Sequence, residues 1–164
     1  MTRLLRTLIV SSMLLTPFSL ALAEESAADA VKAFNAAVTA RDMDTAMSYL
    51  ADGAVQIQLR AVHPGMPENP PLTADLAQMW KAVAAILFPV SSTYDRTVEI
   101  TDQKTLGEVS TVWTVTSTHT LSKKEGKAPL NNEFSEVYMM VNKGNGWKIA
   151  AVADNRGTDE TPVN

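Results

Sequence analysis

Cysteine is absent from all 164 residues, histidine occurs twice, and aromatic residues make up only 6% of the chain. Without cysteine there are no disulfides, no thiol nucleophile and no cysteine-ligated metal, so packing alone must hold the fold. His63, His119, Glu136 and Asp154 are the residues that could ligate zinc, and none of them shows the local spacing of such a site. No metal and no cofactor is therefore expected. An excess of basic charge is also missing, with 14 lysines and arginines against 18 acids. That balance disfavours a nucleic-acid partner, which needs a basic face. No serine sits in a Gly-x-Ser-x-Gly elbow, and no glycine-rich loop is built to cradle a phosphate.

Nor is there an apolar run of the roughly 20 residues that a bilayer span requires. The largely apolar stretch from Leu8 to Leu15 is too short, and Pro17 interrupts the chain just beyond it. With Arg3 and Arg6 before it and Ala21-Leu22-Ala23 after it, the stretch reads as a secretory signal over residues 1–23. The expectation is an exported protein, periplasmic or extracellular, with no stable membrane insertion after cleavage. Loss of Arg3 and Arg6 leaves 12 basic against 18 acidic residues in the remaining 141. That length suits a single domain, residues 24–164 with a core over 26–156.

Ser26 and Asp29 form a capping-box pattern, and Ala27, Ala30, Val31, Phe34 and Val38 then recur at helical spacing. Asp42 opens a second, short helix along Met43, Ala46, Met47 and Leu50, with Gly53 placed to stop it. Val55, Ile57 and Leu59 alternate with Gln56, Gln58 and Arg60 as in a half-buried strand. Five residues between Ala61 and Leu72 are proline or glycine and predict an ordered loop carrying His63. Thr73 is expected to cap a third helix with Leu76, Met79, Trp80, Val83 and Leu87 on one face, stopped by Pro89. Strands come next over 93–101, 107–121, 133–141 and 147–155, with a hairpin at 123–127 and an Asn145-Gly146 turn. The fold class is α+β: a curved antiparallel sheet with three N-terminal helices.

The stretch from Phe34 to Asp44, then Leu50 to Val55, and finally Gly146-Trp147-Lys148-Ile149 resemble the nuclear transport factor 2-like, SnoaL-like superfamily over about residues 26–156. The resemblance implies a cone-shaped domain enclosing a pocket, often dimeric, that serves enzymes and binding modules alike. It fixes fold better than function. The ketosteroid isomerase of that superfamily needs a carboxylate base and two proton donors that stabilise an oxyanion. Laid over this chain, its tyrosine falls on Phe34 and its base on Gln58, neither of which performs that role. Only its strand acid finds a counterpart, Glu136. The resemblance therefore argues against that reaction.

Glu136 lies between Phe134 and Tyr138 at a parity that faces the pocket if the resemblance holds. It reads either as an acid, base or ligand-bonding group, or as half of a structural ion pair, with Arg60 the candidate cation. His119 shares parity with Trp113 and Val115 and is a second catalytic candidate, against a satisfied surface histidine. Asp154 reads mainly as part of a turn with Asn155, Arg156 and Gly157. Gln56, Gln58, Arg60, Trp80, Trp113 and Tyr138 are the candidate ligand-binding residues; Gln56, Gln58, Tyr138 and Glu136 are the polar minority in a pocket otherwise lined by groups that more often form core. The leading expectation is an exported domain that binds a small apolar molecule or a partner without clear catalytic machinery. The alternatives are a pocket enzyme (isomerase, lyase or hydrolase) using Glu136, and an assembly module that forms a homodimer.

Overall fold

The computed structural model describes residues 25–61 and 70–156. The leader-like residues 1–23, His63 with most of the proline-rich loop, and the tail from Gly157 lie outside that set. Helix α1 spans Ala27–Thr39 and begins as its capping box dictates: the Asp29 amide donates to Ser26 Oγ at 3.1 Å, and Ser26 Oγ donates to the Asp29 carboxylate at 2.6 Å. Its buried stripe is the one the spacing predicts, Ala27, Ala30, Val31, Phe34 and Val38, with Asn35 buried among them. Helix α2, Met43–Ser48, is capped by Asp42 and ends earlier than expected, because Leu50 already belongs to a strand.

Among the described residues, six strands form one curved, unclosed sheet in the order β2-β1-β6-β5-β4-β3. They are β1 (Leu50–Gln58), β2 (Leu72–Asp75), β3 (Ser91–Leu106), β4 (Val109–Ser122), β5 (Leu130–Asn142) and β6 (Trp147–Asp154). Helix α3, Leu76–Ile86, follows β2 directly and is capped by Asp75 rather than Thr73, which pairs in β2. The pairing is antiparallel except between β1 and β6, which run parallel. No hairpin links those two strands, so turn geometry does not set their direction. Gly53 lies inside β1 with φ +72° at a register shift, and so serves a bulge rather than a helix stop. Gly107 likewise forms the tight turn between β3 and β4 instead of opening a strand, and its positive φ suits that turn.

The helices cover one face of the sheet. Phe34 of α1 meets Trp80 of α3 edge to face at 5.8 Å, and the core continues through Val112, Tyr138, Met140, Ile149 and Val152. Further bulges interrupt the sheet. One lies in β3 between Ile100 and Asp102, and another, which matters for the site, lies where Met139 and Met140 of β5 pair with Ala151 and Ile149 of β6. Each extra residue exchanges the faces of the positions beyond it.

Candidate ligand-binding site

Beneath α3 lies a cavity of about 170 Å³. Its helix wall is apolar, formed by Phe34, Met79, Trp80, Val83 and Leu87. Its sheet wall presents Gln56, Arg96, Glu136, Tyr138, Asp154 and Arg156.

Glu136 projects inward from β5, and its carboxylate is clamped by one cation and two hydroxyls. Arg96 Nη2 donates to Oε2 at 2.5 Å, Thr116 Oγ1 at 2.6 Å and Tyr138 Oη at 2.8 Å. Because Thr116 has one proton and gives it to Glu136, the 3.1 Å contact between the two threonine hydroxyls is donated by Thr114. Asn35 completes the cluster from α1. Its Oδ1 accepts from Arg96 Nε at 2.5 Å, while its Nδ2 donates to the Val31 carbonyl at 2.8 Å and to Tyr138 Oη at 3.2 Å. The network thus joins α1, β3, β4 and β5. The Arg96 guanidinium also lies 5.4 Å from the Trp80 ring centroid and 5.5 Å from that of Phe134.

Burial on its own pulls the Arg96 pKa down, but Glu136, with Tyr138 and Tyr94, outweighs it and holds the guanidinium above its ordinary value. Burial, reinforced by Glu136 and opposed by Arg96, pushes the Tyr138 phenol well above the usual tyrosine range. Tyr138 is therefore a neutral donor.

A second acid faces the same space. Asp154, the cross-strand partner of Glu136, accepts from Gln56 Nε2 at 2.8 Å and from the Arg156 amide at 3.2 Å. Burial chiefly raises its pKa; the Arg156 charge opposes this and Glu136 adds to it. A carboxyl in a cavity wall whose pKa burial has raised is a candidate for accepting or giving a proton.

Of the residues singled out from the sequence, Gln56, Trp80, Glu136 and Tyr138 converge on the cavity. The others do not. Arg60 is exposed beyond the end of β1, and the guanidinium on Glu136 belongs to Arg96. Gln58 donates to the Arg156 carbonyl at 3.2 Å and is not part of the cavity wall. Trp113 is 48% exposed on the outer face of the sheet. His119 shares that face, where Nδ1 meets Asn131 Oδ1 at 2.6 Å, so it cannot act with Glu136. The parity of β4 is the reverse of the expected one: Val112, Thr114, Thr116 and Thr118 point inward. Asp154 is buried in the cavity wall rather than serving only a turn.

Arg96 and Asn35 belong to the site without having been expected there, although the sequence carries a signal for both. Arg96 falls in register with Tyr94, Val98 and Ile100, a charge in the apolar phase of a strand, and Asn35 lies four residues after Val31 on the apolar stripe of α1. A polar residue at a core position calls for a buried partner. Among the described residues, no group of three or more histidines and acids is placed to hold a metal ion.

A small cone of helices over a curved sheet, open to a cavity with a few polar groups, is the nuclear transport factor 2-like fold. Solved structures share it. A ketosteroid isomerase-like protein from Erwinia carotovora matches at TM-score 0.56 and 18% identity, over 77% of this chain and 89% of its own. A hexachlorocyclohexane dehydrochlorinase matches at TM-score 0.60 and 12% identity, over 82% and 87%. An NTF2-like protein of unknown function from Shewanella baltica matches at TM-score 0.56 and 8% identity, over 79% and 89%. No protein-family model and no curated protein matches the chain. At such identities the likeness concerns fold alone.

Proposed function

We propose that this domain binds a small, largely apolar molecule in the cavity beneath α3. The observation that carries this reading is the composition of the cavity wall, apolar on the helix side and mostly polar, with Leu130 and Val152, on the sheet side; apolar walls with a few placed polar groups are usual for a small-molecule site. Its volume is close to the roughly 150 Å³ that holds benzene in an engineered core, so the occupant is about one ring in size. Calorimetric titration with single-ring compounds tests the reading. Saturable binding that is lost on Val83→Trp, which fills the space from α3, is expected; absence of binding by every compound refutes it.

A second reading, a pocket enzyme, draws on Asp154 more than on Glu136. Three donors already occupy Glu136 Oε2, whereas Asp154 has a raised pKa and lies in the cavity wall. Turnover that survives Asp154→Asn unchanged would remove it. The homodimer suggested by the family resemblance has its candidate surface on the outer sheet face. There Trp113 and Met139 remain 48% and 44% exposed, a clustering of large apolar groups that is typical of contact surfaces. Sedimentation showing only monomer at high concentration would sink it. Export rests on the leader pattern of residues 1–23, and secreted protein beginning at Glu24 is the expected mass-spectrometric result.

A further inference from the structure

The two oxygens of Glu136 are treated very differently. Oε2 receives the donations of Arg96, Thr116 and Tyr138, while Oε1 receives none from the described residues. The residue as a whole is 4% exposed and belongs to the cavity wall. Among the described residues, no fully enclosed side-chain nitrogen or oxygen is left without a partner. Oε1 is therefore not walled in by protein; it is an acceptor open to the cavity, with no donor among the described residues. A carboxylate oxygen in that state retains lone pairs that cost free energy until a donor reaches them. Asp154 beside it is different, since Gln56 and the Arg156 amide serve its two oxygens separately.

The charges of the wall also select. Among the described residues, Arg96 and Arg156 stand against Glu136 and Asp154, two of each sign. An anionic occupant would meet both acids, and a cationic one would meet both guanidinium groups, each at the cost of its own desolvation.

Taking the pocket reading above as its basis, we infer that the cavity takes an uncharged molecule of single-ring size bearing one hydroxyl or N–H donor, and that Glu136 Oε1 receives that donor. The apolar body rests against Met79, Val83 and Leu87 of α3, and the donor points to the sheet.

Phenol, aniline, toluene and benzoate test this directly, because the first three are nearly isosteric and differ in the donor, and benzoate brings an anion. Titration of the wild-type protein near neutral pH is expected to give phenol and aniline dissociation constants at least about tenfold below that of toluene, the difference one hydrogen bond to a charged acceptor makes. Benzoate is expected to bind more weakly than toluene. Equal affinities for phenol and toluene, or preference for benzoate, would overturn the inference and leave the pocket reading standing. Failure of all four to bind would overturn both. In Glu136→Gln the ratio of phenol to toluene affinity is expected to fall several-fold, and an unchanged ratio counts against Oε1. Should that variant not fold, the wild-type ratio decides alone.

Discussion

Arg96 and Glu136 are forty residues apart in sequence and 2.5 Å apart in space, on two strands that do not pair with each other. The threonine-rich strand β4 lies between them, and its short inward side chains let the arginine reach across. Both side chains are nearly inaccessible, at 3% and 4%. A buried pair of this kind adds little net stability over an apolar alternative, but removing one partner strands a charge. Arg96→Met is therefore expected to cost about 3–5 kcal/mol in urea denaturation. The double variant Arg96→Met, Glu136→Gln is expected to recover a large part of that loss, giving a clear coupling in the double-mutant cycle. Additive losses would show that the pair does not act as a unit.

The pH dependence of stability isolates Asp154. Burial is the main cause that raises its pKa, with Arg156 and Arg96 opposing and Glu136 assisting, and the Gln56 amide also faces it. A folded-state pKa above the unfolded one means that the fold holds the proton more tightly. The resulting stabilisation is present below the unfolded value of about 4 and is lost as pH rises through the folded value. Measured against Asp154→Asn, the wild type should therefore lose stability as pH rises from about 4 through the raised folded-state value. A difference between the two proteins that is flat across that window would contradict the assignment.

Gly53 occupies the left-handed region at φ +72° within β1, and nothing lies within 4 Å of where a Cβ would stand. The cost of substitution is thus conformational, with no clash to add. Gly53→Ala is expected to lower stability by about 1 kcal/mol, and Gly53→Asn by clearly less, because asparagine tolerates that region. Equal losses for both would point to a different constraint.

The two sheet faces should separate cleanly under mutation. Trp113→Thr and His119→Ala alter the outer face and are expected to leave cavity-ligand affinity at the wild-type value, each with a stability cost of no more than about 1 kcal/mol. Trp80→Ala, which removes an inward side chain from the cavity wall and the core, is expected to cost about 3–5 kcal/mol and to abolish binding. Thermal melts with and without ligand distinguish the cases. Loss of binding in His119→Ala would return that histidine to the site.

The amino-acid sequence by itself determined most of the elements, the short strand β2 excepted. The capping box at Ser26, the helical spacing from Ala27 to Val38 and the Asn145-Gly146 turn act over a few residues, where local physical chemistry is decisive. It also placed Glu136 beside Tyr138 on one strand face, since a period of two needs no knowledge of the rest of the chain. The tertiary structure alone decided which face looks inward. In β4 the more apolar side, with Trp113 and Val115, points out, because the inward threonines supply the hydroxyl that Glu136 requires. In β6 simple alternation from Trp147 and Ile149 would turn Asp154 outward, and the bulge before Ala151 turns it in. A one-residue bulge leaves almost no mark in sequence yet exchanges every face beyond it. For the same reason the partner of Glu136 was Arg96 and not Arg60: long-range register, which only the assembled sheet fixes, brings those two charges together.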